Sequence, residues 1–151
     1  ALILTRQKLP MITADAAAGT AQGGYVLFDP PGGPEAILIA TGSEVNVALD
    51  AAKTLLGDGI RCRVVSLPSW ELFSAQPAAY RESVLPAAIR ARVSIEAAAS
   101  FGWERWIGDY GEPVALDHFG ASAPGERLFE EFGFTSANAA DTVRRVLGRQ
   151  S

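Results

Sequence analysis

The chain of 151 residues contains one cysteine, Cys62, and one histidine, His118. A single cysteine excludes an internal disulfide framework and any multi-cysteine zinc site. A lone histidine with no cysteine or carboxylate cluster around it carries no metal signature. Basic residues are outnumbered, 13 to 17, and the formal net charge is -4. A nucleic-acid partner would demand a basic face, so none is expected. No apolar run approaches the roughly 18–20 residues of a membrane span. Segments such as Ala36–Thr41 and Val64–Leu67 are strand-sized. The apolar start Ala1–Leu4 lacks the basic region of a signal peptide. These absences leave the expectation of a soluble, intracellular, acidic domain with no nucleic acid and no membrane as partner.

What is present is 48% hydrophobic residues against 20% charged ones. One domain of this length builds a sizeable core without a staple, burying about 70% of its unfolded surface. Ala1–Thr5 reads as a buried strand met in mid-pattern, the mark of a piece of something longer. Met11–Gln22 is poor in large apolar residues and reads as a linker with a helical turn near Asp15–Ala18. From Gly24 the punctuation is regular. Tyr25–Phe28 is a strand closed by a Pro/Gly turn, and Ala36–Thr41 is apolar throughout, as strands covered on both faces are. Gly42 turns the chain and Ser43 is placed to cap a helix whose apolar spacing runs from Val45 to Leu56. Arg63–Leu67 is the next strand, which completes a βαβ unit. A short helical piece at Trp70–Phe73, a helix from Pro77 to Leu85, a strand at 92–97 and a helix from Ser100 to Ile107 follow. Val114–Asp117 reads as a last strand, and helices over Glu126–Phe132 and Ser136–Leu147 close the chain. The expected fold is α/β: a three-layer, helix-flanked, mostly parallel five-stranded sheet with one antiparallel edge strand.

Candidate chemistry is sparse. The turn Thr41-Gly42-Ser43-Glu44 joins a buried strand to a helix start, where free N–H groups attract anions. It matches neither dinucleotide nor P-loop spacing, and Glu44 already satisfies the helix dipole, so a structural cap is favoured over a nucleotide site. His118 has no nucleophile elbow near it and reads as structural or exposed. Its neighbour Asp117 reads as held in a strand and turned away from it. Cys62 reads as a small buried hydrophobe. Trp70, Trp103 and Trp106 read as packing residues, Glu96 and Glu104 as unpaired, and Glu126, Glu130 and Glu131 as a solvated helix face. Arg6 follows the first strand directly and presents a guanidinium where α/β domains collect ligands, at the sheet's C-terminal edge.

Several segments, taken in order, resemble transketolase, closest to bacterial forms. They are Ala1–Gln7, Gly23–Leu27, Ile39–Val45, Arg63–Ser69, Tyr80–Pro86, Phe119–Pro124 and Leu128–Thr135. The resemblance implies residues 1–10 as the tail of a middle, pyrimidine-binding domain, 11–22 as a linker and 23–151 as the C-terminal domain. It implies a parent enzyme that is a transferase of two-carbon ketol units between sugar phosphates in the pentose phosphate pathway, a cytoplasmic homodimer using thiamine diphosphate and a divalent ion, Mg or Ca. Thr5-Arg6-Gln7 stands where the family has Ser-Arg-Gln, so Arg6 is the implied contact to the substrate phosphate. No catalytic, cofactor-binding or metal-binding residue of the family falls within these 151 positions. The chain by itself is therefore expected to bind no cofactor, to be inactive, and to serve interdomain packing and dimer stabilisation. The alternatives are a regulatory nucleotide- or anion-binding module at Gly42-Ser43, or the C-terminal domain of a related thiamine-diphosphate enzyme such as dihydroxyacetone synthase.

Overall fold

The computed structural model describes residues 8–12 and 17–149. The strand expected at Ala1–Thr5, with Arg6 behind it, lies outside the described residues, as does part of the linker. A 3-10 helix, Ala17–Gln22, leads into β1 (Tyr25–Phe28). Next come β2 (Ala36–Ala40), α1 (Glu44–Gly57) and β3 (Cys62–Ser66). Two short helices, α2 (Trp70–Ser74) and α3 (Ala78–Val84), precede β4 (Arg92–Ile95). The chain closes with α4 (Glu104–Ile107), β5 (Glu112–Val114), α5 (Gly125–Glu131) and α6 (Ser136–Gly148). The five strands lie in the order β1-β3-β2-β4-β5. Only β1 runs antiparallel, against β3; the other pairs are parallel. The expected fold class is thus borne out.

The period-2 rule sorts the strand side chains into two cores. On one face Leu38, Val64, Val93 and Ile95 meet Val45, Ala48, Leu55, Val143 and Val146 of α1 and α6. Alanines at 48, 51 and 52 let α1 sit close to the strands, and all three are buried. On the other face Ile37, Ile39, Val65 and Leu67 meet an aromatic layer of Phe73, Trp103 and Trp106. The rings there pack edge-on: Trp70 lies 5.1 Å from Trp103 and 6.2 Å from Trp106 between centroids. Trp103 and Trp106 are therefore core, with half-buried Trp70 packed against them.

Three boundaries differ from expectation, each for a local reason. Residues 100–103 form turns, and α4 starts only at Glu104. Gly102 sits at φ +90, where a Cβ would meet the Trp70 ring at 2.8 Å, so the helix cannot run through it. The last strand is Glu112–Val114, shifted back from Val114–Asp117, because β4 offers partners only over Val93–Ile95. Ser43 makes no side-chain cap: its backbone is already helical, and its hydroxyl donates instead to Glu44 Oε2 at 2.7 Å. Working caps occur at Ser69, which accepts from Leu72 N–H, and Thr135, which accepts from Asn138 N–H.

Candidate functional site

In a doubly wound sheet ligands collect beyond the strand C-termini where the chain order reverses. Here β2 lies between β3 on one side and β4 on the other, so the crevice falls between the ends of β2 and β4. The residues there are Thr41 to Glu44 after β2 and Glu96 to Ala98 after β4. Glu44 is 6% exposed. Its Oε1 accepts the Ala97 backbone N–H at 2.7 Å, and its Oε2 accepts the Ser43 hydroxyl at 2.7 Å. Glu96 accepts the Thr41 hydroxyl at 3.2 Å on Oε1 and the Trp103 indole N–H at 2.9 Å on Oε2. Two carboxylates therefore span the crevice and tie the β4 loop to the start of α1.

This arrangement decides the nature of the Gly42-Ser43 turn. A nucleotide phosphate would need open N–H groups and no competing negative charge. The Glu44 carboxylate stands beside Gly42, 3.7 Å from where a Cβ would lie there, and repels an incoming anion. Charge-assisted hydrogen bonds within the chain take the place of a ligand. What these contacts do is latch the loops to one another.

The latch continues outward. Asp117 accepts the Ser100 backbone N–H at 2.8 Å, which joins the loop after β4 to the loop after β5. That bond, with the Ser100 side chain and the nearby His118 charge, holds the Asp117 carboxyl below its usual range against a smaller opposing effect of desolvation. Asp117 thus lies in a loop rather than a strand, close enough to His118 to feel its charge. His118 itself is exposed and packs edge-on against Phe132, 5.2 Å between centroids. Burial pushes the Cys62 thiol up to about 12, which makes it inert as expected of a core residue. The described residues bring together no group of three His, Cys, Asp or Glu able to hold a metal ion. Arg6 lies outside the described residues.

Reading the sequence by motif missed both carboxylates. In the sequence Glu44 reads as a dipole partner and Glu96 as an unpaired carboxylate. Each stands one or a few residues beyond an apolar strand, the one available hint that both serve the same edge. A second pair went unseen at the opposite end. Arg63 is 8% exposed; it grips Asp29 with two nitrogens at 3.0 and 2.8 Å and donates to the Ser83 and Val84 carbonyls at 2.7 and 3.0 Å. Arg92 donates to four carbonyls, those of Ile89, Trp106, Leu85 and Pro86. Burial lowers its pKa from the ordinary value, partly offset by the Glu82 charge.

The fold is a doubly wound α/β domain with one antiparallel edge strand and a switch point tied by its own carboxylates. Known proteins place it further. Residues 23–135 match the family model described as the transketolase-like C-terminal domain. The transketolase of Geobacillus stearothermophilus is 47% identical over 99% of this chain, which spans 23% of that protein. Transketolase 7 of Craterostigma plantagineum is 52% identical over 89% of the chain and 20% of its own length. The crystal structure of Pichia stipitis transketolase in complex with sedoheptulose-7-phosphate superposes with a TM-score of 0.84 at 36% identity, over 95% of this chain and 21% of that one. The chain belongs to the transketolase family and is a C-terminal domain of it. It spans about a fifth to a quarter of the relatives it matches. Among the described residues no helix is long and apolar enough to cross a membrane.

Proposed function

We propose that the chain works as the C-terminal part of a transketolase that moves a two-carbon ketol unit between sugar phosphates in the pentose phosphate pathway. The observation that supports this reading is the 47% identity over 99% of the chain with a transketolase. In this reading residues 1–10 end the middle domain, 11–22 link, and 23–151 form the C-terminal domain. The parent is a cytoplasmic homodimer. Among the described residues no group of three His, Cys, Asp or Glu could hold a divalent ion, and the reading assigns thiamine diphosphate and its ion to the portion of the longer relatives that this chain does not span. The domain's own work is packing against the other domains and stabilising the dimer. The purified 151 residues then show no ketol transfer above a control without protein, and transfer by them alone refutes the reading.

Arg6 is the one substrate contact proposed on this chain. The solved relative with a sugar phosphate named in its complex supports a phosphate-bearing substrate. In the longer enzyme Arg6→Ala should lower kcat/KM for phosphorylated acceptors by about 10- to 150-fold, the worth of one charge-assisted hydrogen bond. Unphosphorylated acceptors should be unaffected. Equal effects on both, or none on either, remove Arg6 from the site.

A further inference from the structure

At the N-terminal end of the sheet, away from the carboxylate crevice, a hollow of about 310 Å³ opens between two loops. Arg90 and Arg92 line it from the approach to β4, and Gly108, Asp109 and Tyr110 from the turn between α4 and β5. Its volume stands at the small end of ligand pockets, which run from about 300 to 1,000 Å³.

Both arginines are held in place by the fold itself. Arg92 is half-buried, and four backbone carbonyls fix its guanidinium at distances between 2.8 and 3.2 Å. One of its Nη1 hydrogens is left without an acceptor among the described residues. Arg90 is exposed, yet its guanidinium carbon lies 3.5 Å from the centroid of the Tyr110 ring. Stacking of this kind restrains a guanidinium and leaves its in-plane N–H groups free to donate. Among the described residues neither arginine forms an ion pair. Glu82, whose charge acts on Arg92, has its Oε1 occupied by the Ala87 N–H at 2.9 Å. The turn adds donors: Gly108 stands at φ +67, and the N–H groups of Asp109 and Tyr110 after it meet no acceptor among the described residues. Asp109 opposes them, since its exposed carboxylate lines the same hollow. An exposed charge acts through water and weakens, without cancelling, the attraction of two held cations. The Gly42-Ser43 turn differs on this point, because there Glu44 already takes up the donors.

We propose that the hollow between Arg90, Arg92 and Tyr110 is a binding site for a small phosphate, free or as a monoester. Phosphate suits this lining because its several charged oxygens accept from guanidiniums and main-chain N–H groups together. Ile89 and Ile107 supply an apolar part of the wall, against which the short carbon chain of an ester packs. The assignment is independent of the ketol-transfer reading.

Amide NMR of the 151-residue chain reads the site directly, with inorganic phosphate and glycerol 3-phosphate added in separate titrations at constant ionic strength. The amides of Gly108, Asp109 and Tyr110 should shift along saturating curves that share one dissociation constant. Saturation by either probe supports the site, and the tighter of the two names the form of phosphate it takes. Arg90→Ala removes an exposed side chain and should weaken binding about fivefold, the upper worth of an exposed charge pair. Asp109→Asn removes the opposing charge and should tighten binding about twofold. Arg127→Ala takes the same charge from exposed α5 and should leave the constant unchanged. Shifts that never saturate, or that spread evenly over the surface, overturn the proposal. So does equal weakening by Arg90→Ala and Arg127→Ala, which reduces the effect to net charge.

Discussion

The two ends of this sheet solve one problem with opposite charges. At the N-terminal end Ile37 of β2 is flanked by Arg63 on β3 and Arg92 on β4, in register on either side. Both guanidiniums point to the aromatic face and gather backbone carbonyls from the α3 region and the end of α4. At the C-terminal end Glu44 and Glu96 flank the same strand and gather N–H and O–H donors. Irregular segments on that face leave carbonyls without partners at one end and donors without partners at the other. A charge of the matching sign, buried at Arg63 and Glu44 and half-buried at Arg92 and Glu96, collects several at once. The difference lies in what is then displayed. The arginine end binds the carbonyls of its own short helices, whereas the carboxylate end ties two loops together and leaves their phenylalanines in water.

Removing a charge from the arginine end should be the most damaging change. Arg63→Ala strands the Ser83 and Val84 carbonyls and the Asp29 carboxylate next to a hydrophobic cluster. Asp29 is about half-exposed and rehydrates, but each carbonyl left without its donor costs about 1–3 kcal/mol, a large part of the 5–15 kcal/mol that holds a domain together. Urea unfolding of the variant should show that loss, and a change below about 1 kcal/mol would make the arginine ornamental. At the latched end Glu96→Ala orphans the Trp103 indole N–H and should cost about 1–3 kcal/mol. Glu96→Gln keeps an acceptor for the indole and should cost clearly less. Equal losses for the two would mean that the carboxylate acts through its charge alone.

A third region tests whether exposed pairs matter as much as these buried ones. Glu112 opens β5 and meets Arg145 at 2.6 Å and Arg149 at 2.7 Å, both from α6. Burial pushes its pKa up, but the hydrogen bonds and charges of Arg145 and Arg149 outweigh that and hold it below the ordinary value. A carboxyl with a lowered folded pKa stabilises above the unfolded value, about 4.3, and loses that contribution as pH falls through the folded one. Between pH 5 and pH 3 the wild type should therefore lose more stability than Glu112→Gln, by about 0.5–1 kcal/mol given the half-exposed arginines. Parallel acid profiles would show that the pairs contribute nothing.

The sequence predicted the scaffold well because the scaffold is written in periodicity. The continuous apolar run Ala36–Ala40 and the Val64-Val65 pair of the next strand mark strands buried on both faces, and alanine spacing marks the inner face of α1. Where it misled, a single contact across the fold decided the outcome. Trp70 lies beside Gly102 and shortens α4, and the Glu44 carboxylate draws the Ser43 hydroxyl away from capping. The carboxylate latch was illegible for the same reason, since Glu44 and Ala97 are 53 positions apart and no local pattern links them. The family was legible because it rests on ordered identities along the chain.

The smallest expected effect is the most discriminating one. If the phenylalanines at the latched end exist for a partner, this chain gains almost nothing from them. Phe101 and Phe119 are nearly fully in water, so the area term that makes a buried Phe worth about 3–5 kcal/mol over Ala is missing. Phe101→Ser and Phe119→Ser should each change the unfolding free energy of the 151-residue chain by no more than about 0.5 kcal/mol, as surface substitutions do. The buried Phe73, on the aromatic face, provides the contrast: Phe73→Ala should cost several times as much. A loss above about 1.5 kcal/mol for either exposed residue would place that ring in the domain's own core and remove the reason for seeking a partner there.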